Sequence, residues 1–285
     1  MTIDAALRSA GAELDVVGGT GRLDATLLLE HVTGATRTTF AAFGTRSLSE
    51  AESGAFQTAV ARRRRGVPVA YIVGTAGFYG RTFAVDESVL VPRPETEHLV
   101  EAALADVRGR RAEHERIADI GTGSGAVAIS LAAELPDAWV FGSDISREAV
   151  GLARRNAAAN NVFQSCTFVH GDLAAPLVRF APFATIVANL PYIPTADIPP
   201  RPDPVSYEPL VALDGGADGL ELYRRLIVQL PVIAAHAATV FFEAAPGTIE
   251  PLAALMEGVF PGAHVEIGKD YAGLDRFVQV SLTPE

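Results

Sequence analysis

The chain holds 285 residues at a formal net charge of -11, with 49% hydrophobic and 20% charged residues. That balance is too apolar for a disordered chain, and its acidic field repels phosphate backbones, so a nucleic-acid partner would need a concentrated basic patch. A single cysteine excludes an internal disulfide. With no signal-peptide pattern and no run of roughly 20 apolar residues, a cytoplasmic location away from any membrane is expected.

Residues 1–70 read as helical. In LDATLLLEHVTG (Leu23 to Gly34) apolar residues recur at steps of three and four, and Gly34 is placed to stop the helix. In Ser47 to Arg65 a capping Ser49 precedes early acids and late arginines, the order a helix dipole favours. The arginine run there reads as a solvated helix end, or as a dock for an acidic partner. From Tyr71 to Asp86 glycines alternate with aromatic and β-branched residues, which predicts a hairpin. A helix is expected from about Pro94, and Arg108 to Arg116 reads as an exposed connection.

Beyond Arg116 short apolar runs alternate with helical patterns. The strand candidates are IADI, AWVFGSD, CTFVHGD, ATIVANL, ATVFFEA, AHVEIG and RFVQVSL, with a helix around Leu220 to Leu230. Such alternation predicts an α/β fold with a parallel sheet covered by helices on both faces. The proline-rich stretch from Ile193 to Pro209 predicts a long ordered loop of functional use.

ADIGTGSGAVAIS sets Gly121, Gly123 and Gly125 between a strand and a helix, where glycines allow a tight turn and close approach of a ligand to backbone N–H groups. With Ala126 it also fits G-x-G-x-x-A, so a nicotinamide cofactor and S-adenosylmethionine both remain open. Asp144, ending the next strand, is placed to accept hydrogen bonds from ribose hydroxyls or to cap the helix that starts at Ser146. Asp172 is placed to accept an adenine amino hydrogen or to serve as a turn residue. Asn189 ends the fourth strand, followed by Leu190, Pro191 and Tyr192. In an open parallel sheet such strand ends face the ligand crevice. A planar NH2 is a poor nucleophile because its lone pair is delocalised. An Asn carbonyl beside a main-chain carbonyl can accept both of its hydrogens and orient it toward an electrophilic methyl, while Tyr192 offers a ring to stack on it.

GTGSGA, SDIS, NLPYI, YEPLVALDGGADGLELYRRL and RRRRGVPVAYIVGTAGFYGRTFAVDESVLVPRPETEHLVE together resemble the HemK/PrmC protein-glutamine methyltransferases. The resemblance implies an N-terminal helical substrate-recognition domain (1–70) and a hairpin linker (71–90). It further implies a seven-stranded Rossmann-like S-adenosylmethionine-dependent methyltransferase domain (91–285) whose last strand is antiparallel. The implied reaction methylates the side-chain nitrogen of the glutamine in the Gly-Gly-Gln motif of peptide chain release factors. Gly121, Thr122, Gly123, Ser124 and Gly125 would hold the methionine part of the cofactor, Asp144 the ribose, and Asp172 and Leu173 the adenine. Asn189, also beside the cofactor, would hold the target glutamine with Leu190, Pro191 and Tyr192. Asn189, Pro191 and Tyr192 would be the catalytic set. The implied protein is a monomer with a protein partner, no direct nucleic-acid contact and no metal.

The sequence departs from the family pattern at three places: Leu190 replaces a proline, Leu173 an aromatic residue, and FFEAAPGTIE a Glu-Ile-Gly stretch. Two other readings keep the clamp. One is an adenine or guanine N-methyltransferase acting on nucleic acid, against which the acidic balance speaks. The other is an S-adenosylmethionine-binding paralogue with impaired catalysis. A nicotinamide dehydrogenase leaves the Asn-Leu-Pro-Tyr stretch without a task.

Overall fold

A computed structural model describes residues 1–110 and 114–282. Met1–Thr75 with Pro199–Glu208 form one compact unit, and Ala76–Ile198 with Pro209–Glu285 form another.

The first unit is built from helices α1 (Ile3–Gly18), α2 (Gly21–Thr33), α3 (Arg37–Ala42), α4 (Glu50–Arg64) and α5 (Val69–Val73). Ser49 and Glu52 form a reciprocal capping box at the start of α4, and Gly34 ends α2 in the left-handed conformation, as the sequence predicts. Ile3, Leu14, Leu28, Leu29 and Phe56 bury their side chains together. The arginine run is only partly a solvated helix end. Arg63 is buried and donates from Nε to the equally buried Asp24 Oδ2 at 2.6 Å. Helical periodicity turns one residue of a charged run inward, and the buried charge is held by its partner. The proline-rich loop, expected as one ordered segment, divides: Pro199–Glu208 belongs to this unit, where the Tyr207 hydroxyl donates to the Arg65 carbonyl.

The hairpin starts later than the glycine pattern suggests. Val69–Val73 closes a short helix at Gly74, and strands β1 (Thr75–Phe78) and β2 (Arg81–Ala84) follow. Helix α6 (Thr96–Arg110) takes up the start of the expected charged connection, of which residues 111–113 lie outside the described residues. Arg110 is no surface charge. It pairs with Asp106 at 2.6 Å and with the buried Glu115.

The second unit continues with β3 (Arg116–Ile120), α7 (Ala126–Glu134), β4 (Trp139–Asp144), α8 (Arg147–Ala159), β5 (Cys166–His170) and β6 (Phe183–Ala188). It closes with α9 (Glu221–Ile227), α10 (Leu230–Ile233), β7 (Ala234–Glu243), α11 (Pro246–Val259), β8 (His264–Lys269) and β9 (Asp275–Ser281). The sheet order is β5-β4-β3-β6-β7-β9-β8; β9 alone runs antiparallel to both neighbours. Central strands such as FATIVA are buried on both faces, which explains their near-continuous apolar runs. Ile120, Ile186 and Phe242 pack on one face of the sheet, Ile117, Val187 and Phe241 on the other. The chain winds outward from β3 through β4 to β5, then returns to β6 on the other side of β3. This reversal opens a crevice beyond the carboxyl ends of β3 and β6.

Candidate active site

Around that crevice lies a cavity whose wall includes Gly121, Thr122, Gly123, Ser124, Asp144, Asp172, Leu173, Asn189, Leu190 and Pro191. Apolar surface from Phe78, Leu90, Pro92 and Leu222 completes it. The sequence placed the glycine loop and three later strand ends at one ligand, and the topology brings them to one cavity. Gly125 and Tyr192 stand apart from its lining: Gly125 caps α7, and the half-buried Tyr192 packs against the sheet core.

The loop after β3 takes its shape from backbone conformations that favour glycine, with φ of 76° at Gly121, 55° at Gly123 and 81° at Gly125. The N–H groups of Gly121 and Thr122 both donate to the Ser143 carbonyl at 2.9 Å. Asp119, buried beneath the loop, accepts from the Thr122 hydroxyl at 2.7 Å and the Ala128 N–H at 3.2 Å. Burial pushes its carboxyl up to about 6, against the pull of those hydrogen bonds. At Gly123 a side chain would project into open space, so a ligand can approach the backbone there.

Asp144 does not cap α8 itself, since Ser146 is the N-cap and accepts from the Ala149 N–H at 3.1 Å; Asp144 braces the two loops on either side of it. Oδ2 accepts from the Gly123 N–H and Oδ1 from the Ser146 N–H, each at 2.8 Å. Each oxygen keeps a lone pair, and the residue lines the cavity. Burial, the leading cause, raises its pKa against these hydrogen bonds. Asp172 lines the cavity and serves in a turn, its carbonyl accepting from the Ala175 N–H at 3.1 Å. It lies beyond the end of β5, half exposed, and its Oδ2 pairs with Arg225. The next residue, Leu173, is buried with φ 48°, and its carbonyl accepts from Ser143 Oγ at 2.7 Å. Both residues line this side of the cavity, the acid at its exposed edge and the aliphatic side chain buried.

At the end of β6, Asn189 donates from Nδ2 to Thr96 Oγ1 at 3.1 Å. Leu190 is buried, and its N–H donates to the Tyr223 hydroxyl at 3.3 Å. That hydroxyl also faces the carbonyl oxygens of Leu190 and Glu243. One fully buried phenol thereby ties together the ends of the neighbouring strands β6 and β7. Burial raises the Tyr223 pKa well above the ordinary phenol range, so it stays a neutral donor. Burial likewise brings Tyr192 up to about 12, with the charge of Glu243 adding to it.

Sequence reasoning missed Asp119, Thr96 and Tyr223 and left Glu243 without a task. Asp119 carried a signal, an acid inside the apolar run that leads into the glycine loop. Glu243 did too, since it ends an apolar strand as Asp144 does. Thr96 and Tyr223 fall within the VPRPETE and LELYRRL stretches that carry the resemblance, but no spacing there points to a role for either.

The β3 glycine loop, the acid closing β4 and the asparagine that follows β6, on a seven-stranded sheet with one antiparallel strand, define a Rossmann-like methyltransferase. Residues 5–74 match a family model described as PrmC N-terminal domain, and residues 97–198 match one described as methyltransferase small domain. The chain belongs to the release factor glutamine methyltransferase family. The protein of that name from Bacillus cereus is 38% identical over 255 residues, covering 88% of this chain and 89% of that protein. The one from Bradyrhizobium diazoefficiens is 38% identical over 285 residues, covering 99% and 93%. Among solved structures, the catalytic domain of hMettl16 in complex with the MAT2A 3'UTR hairpin 6 superimposes with a TM-score of 0.56 at 16% identity, covering 80% of this chain and 83% of that one. A methyltransferase from Pyrococcus furiosus gives 0.51 at 16% identity, covering 73% and 92%. Both share the fold.

Proposed function

We propose that this chain methylates the side-chain nitrogen of the glutamine in the Gly-Gly-Gln motif of release factors, in the cytoplasm, using S-adenosylmethionine. One observation carries the reading: Asn189 and the glycine loop of Gly121 to Gly123 line the same cavity, with Asn189 held at a buried strand end. The names and near full-length coverage of the relatives support the choice of substrate.

The residues present fit the cofactor. The open backbone at Gly123, the remaining lone pairs of Asp144 and the apolar wall of Leu173 suit an amino-acid tail, a ribose and an adenine in turn. When bound, S-adenosylmethionine supplies an electrophilic methyl group. Asn189 Oδ1 and the Leu190 carbonyl are the acceptors offered to the two N–H bonds of the substrate amide. Gripping both hydrogens fixes the nitrogen in the cavity and favours the positive charge that develops on it. A proton then leaves that nitrogen for water, so no strong base is required. Leu190 acts here through its main chain, and its side chain is buried in the core. Tyr192, packed against the sheet core outside the cavity lining, is left out of the clamp, and we assign recognition of the protein partner to the N-terminal helical unit.

The test is transfer of radiolabelled methyl to a purified release factor and to the same factor with its Gly-Gly-Gln glutamine changed to alanine. Label on the first and none on the second is expected. Equal label on both, or label on RNA instead, would refute the assignment.

A further inference from the structure

Strands β6 and β7 are parallel neighbours with Ala188 opposite Phe242. The next residue on each is polar, so Asn189 and Glu243 end the two strands side by side. Glu243 is only 3% exposed, and its Oε2 has no hydrogen-bond partner among the described residues. Thr96, at the start of α6, is also buried. Asn189 Nδ2 donates to Thr96 Oγ1 at 3.1 Å, and both side chains lie close enough to the Glu243 carboxylate to pull its pKa down as donors would.

A carboxylate only accepts hydrogen bonds, so whatever contacts it must present hydrogen. Asn189 therefore turns its NH2 toward Glu243. The Thr96 hydroxyl, which accepts from Asn189, gives its own single proton to the carboxylate. An amide is planar, so with its NH2 turned to this side its carbonyl oxygen is directed away. We propose that Glu243, with Thr96, is a positioning residue that locks Asn189 in the one amide orientation presenting Oδ1 to the substrate nitrogen. The reversed amide would offer N–H to N–H, and the clamp would repel what it must hold. The inference rests on the methyl-transfer reading of the cavity. It explains why an acid is kept in an apolar strand end with one oxygen unsatisfied, at the cost of burying a charge.

The lock depends on ionisation. Burial, the leading cause, raises the Glu243 carboxyl to about 7. The hydrogen bond of Thr96 opposes this, the charge of Glu95 adds to it, and Arg276 on β9 and the Asn189 hydrogen bond oppose it. The remaining titratable neighbours, Tyr192 and Tyr223, stay neutral through this range. Protonated Glu243 becomes a donor that can pair with Asn189 Oδ1, and the lock is lost.

The test uses the full chain with Glu243→Gln, which keeps shape but both donates and accepts. Its kcat on a release factor should fall roughly tenfold or more above pH 8, with KM nearly unchanged. The acid limb near pH 7 in the wild-type kcat profile should vanish. Thr96→Val should lower kcat similarly and Thr96→Ser should restore it. As a readout independent of turnover, the Asn189 side-chain NH2 resonances of the enzyme alone should titrate near pH 7 in the wild type and not in Glu243→Gln. A variant with wild-type kcat and an unchanged acid limb, or NH2 resonances indifferent to pH, overturns the inference. A wild-type enzyme that leaves release factors unlabelled while those resonances still titrate overturns the substrate assignment and leaves the lock standing.

Discussion

Tyr223→Phe removes one oxygen atom and leaves the ring packed edge-on against Phe242 at 5.5 Å. That oxygen accepts from the Leu190 N–H and faces the carbonyls of Leu190 and Glu243, in a spot with no exposure at all. The substitution creates no large cavity, so its cost is the buried N–H left without its acceptor, about 1–3 kcal/mol. For a unit of this size each kcal/mol shifts Tm by roughly 2–4 °C, so a fall of roughly 2–12 °C is expected. The loosened segment carries the Leu190 carbonyl that we propose as an acceptor for the substrate amide. If about 1 kcal/mol of the loss reaches the transition state, kcat drops about fivefold. Cofactor affinity should hardly change, because the glycine loop hangs from Ser143 and Asp119 instead. Thermal melts and single-turnover methyl transfer, with calorimetry for S-adenosylhomocysteine, measure all three. An unchanged Tm and kcat would refute the claim that this hydroxyl ties the two strand ends.

In Gly121→Ala the new Cβ would sit 3.0 Å from Leu190 Cδ2 at a φ of 76°, whereas in Gly123→Ala it meets no atom within 4 Å. Both variants carry the strain of a positive φ, but the first adds a crowded contact and should lower Tm further, whereas the second should in addition weaken S-adenosylhomocysteine binding in calorimetry; the opposite pattern would contradict the site geometry. Arg63→Ala strands the buried Asp24 carboxylate and should cost roughly 3–5 kcal/mol in urea melts, while Arg64→Ala, whose partner Glu13 is exposed like itself, should cost under about 1 kcal/mol. Because burial lifts Asp119 to about 6, the native state holds that proton longer than the unfolded chain, so this group's stabilising contribution is full below about pH 4 and fades as pH rises through 6. Denaturant melts of Asp119→Asn should lose that part of the decline, roughly 3 kcal/mol at most, and identical pH profiles would refute the shift.

The strand–helix alternation, the glycine loop and the placing of Asp144 and Asn189 at strand ends around one cavity were legible, because each is a local pattern: a period, a turn or a polar residue closing an apolar run. What escaped depends on contacts across the sheet. Thr96 lies 93 positions from Asn189, and Tyr223 lies 33 from Leu190. Their spacing follows from topology and not from any period. The pairing of Asp172 with Arg225 was hidden for a similar reason, since that partner comes from a helix 53 residues later. The inward turn of Arg63 was hidden inside a uniform run of charge, where only the opposing Asp24 distinguishes it from its neighbours.

The most direct test is tandem mass spectrometry of a release factor incubated with S-adenosylmethionine and either the wild-type chain or Asn189→Ala. The account predicts a single methyl on the side-chain amide of the Gly-Gly-Gln glutamine. It also predicts a rate loss of roughly a hundredfold or more in the variant, with cofactor binding retained. A methyl on any other residue, or equal rates for the two proteins, would contradict it.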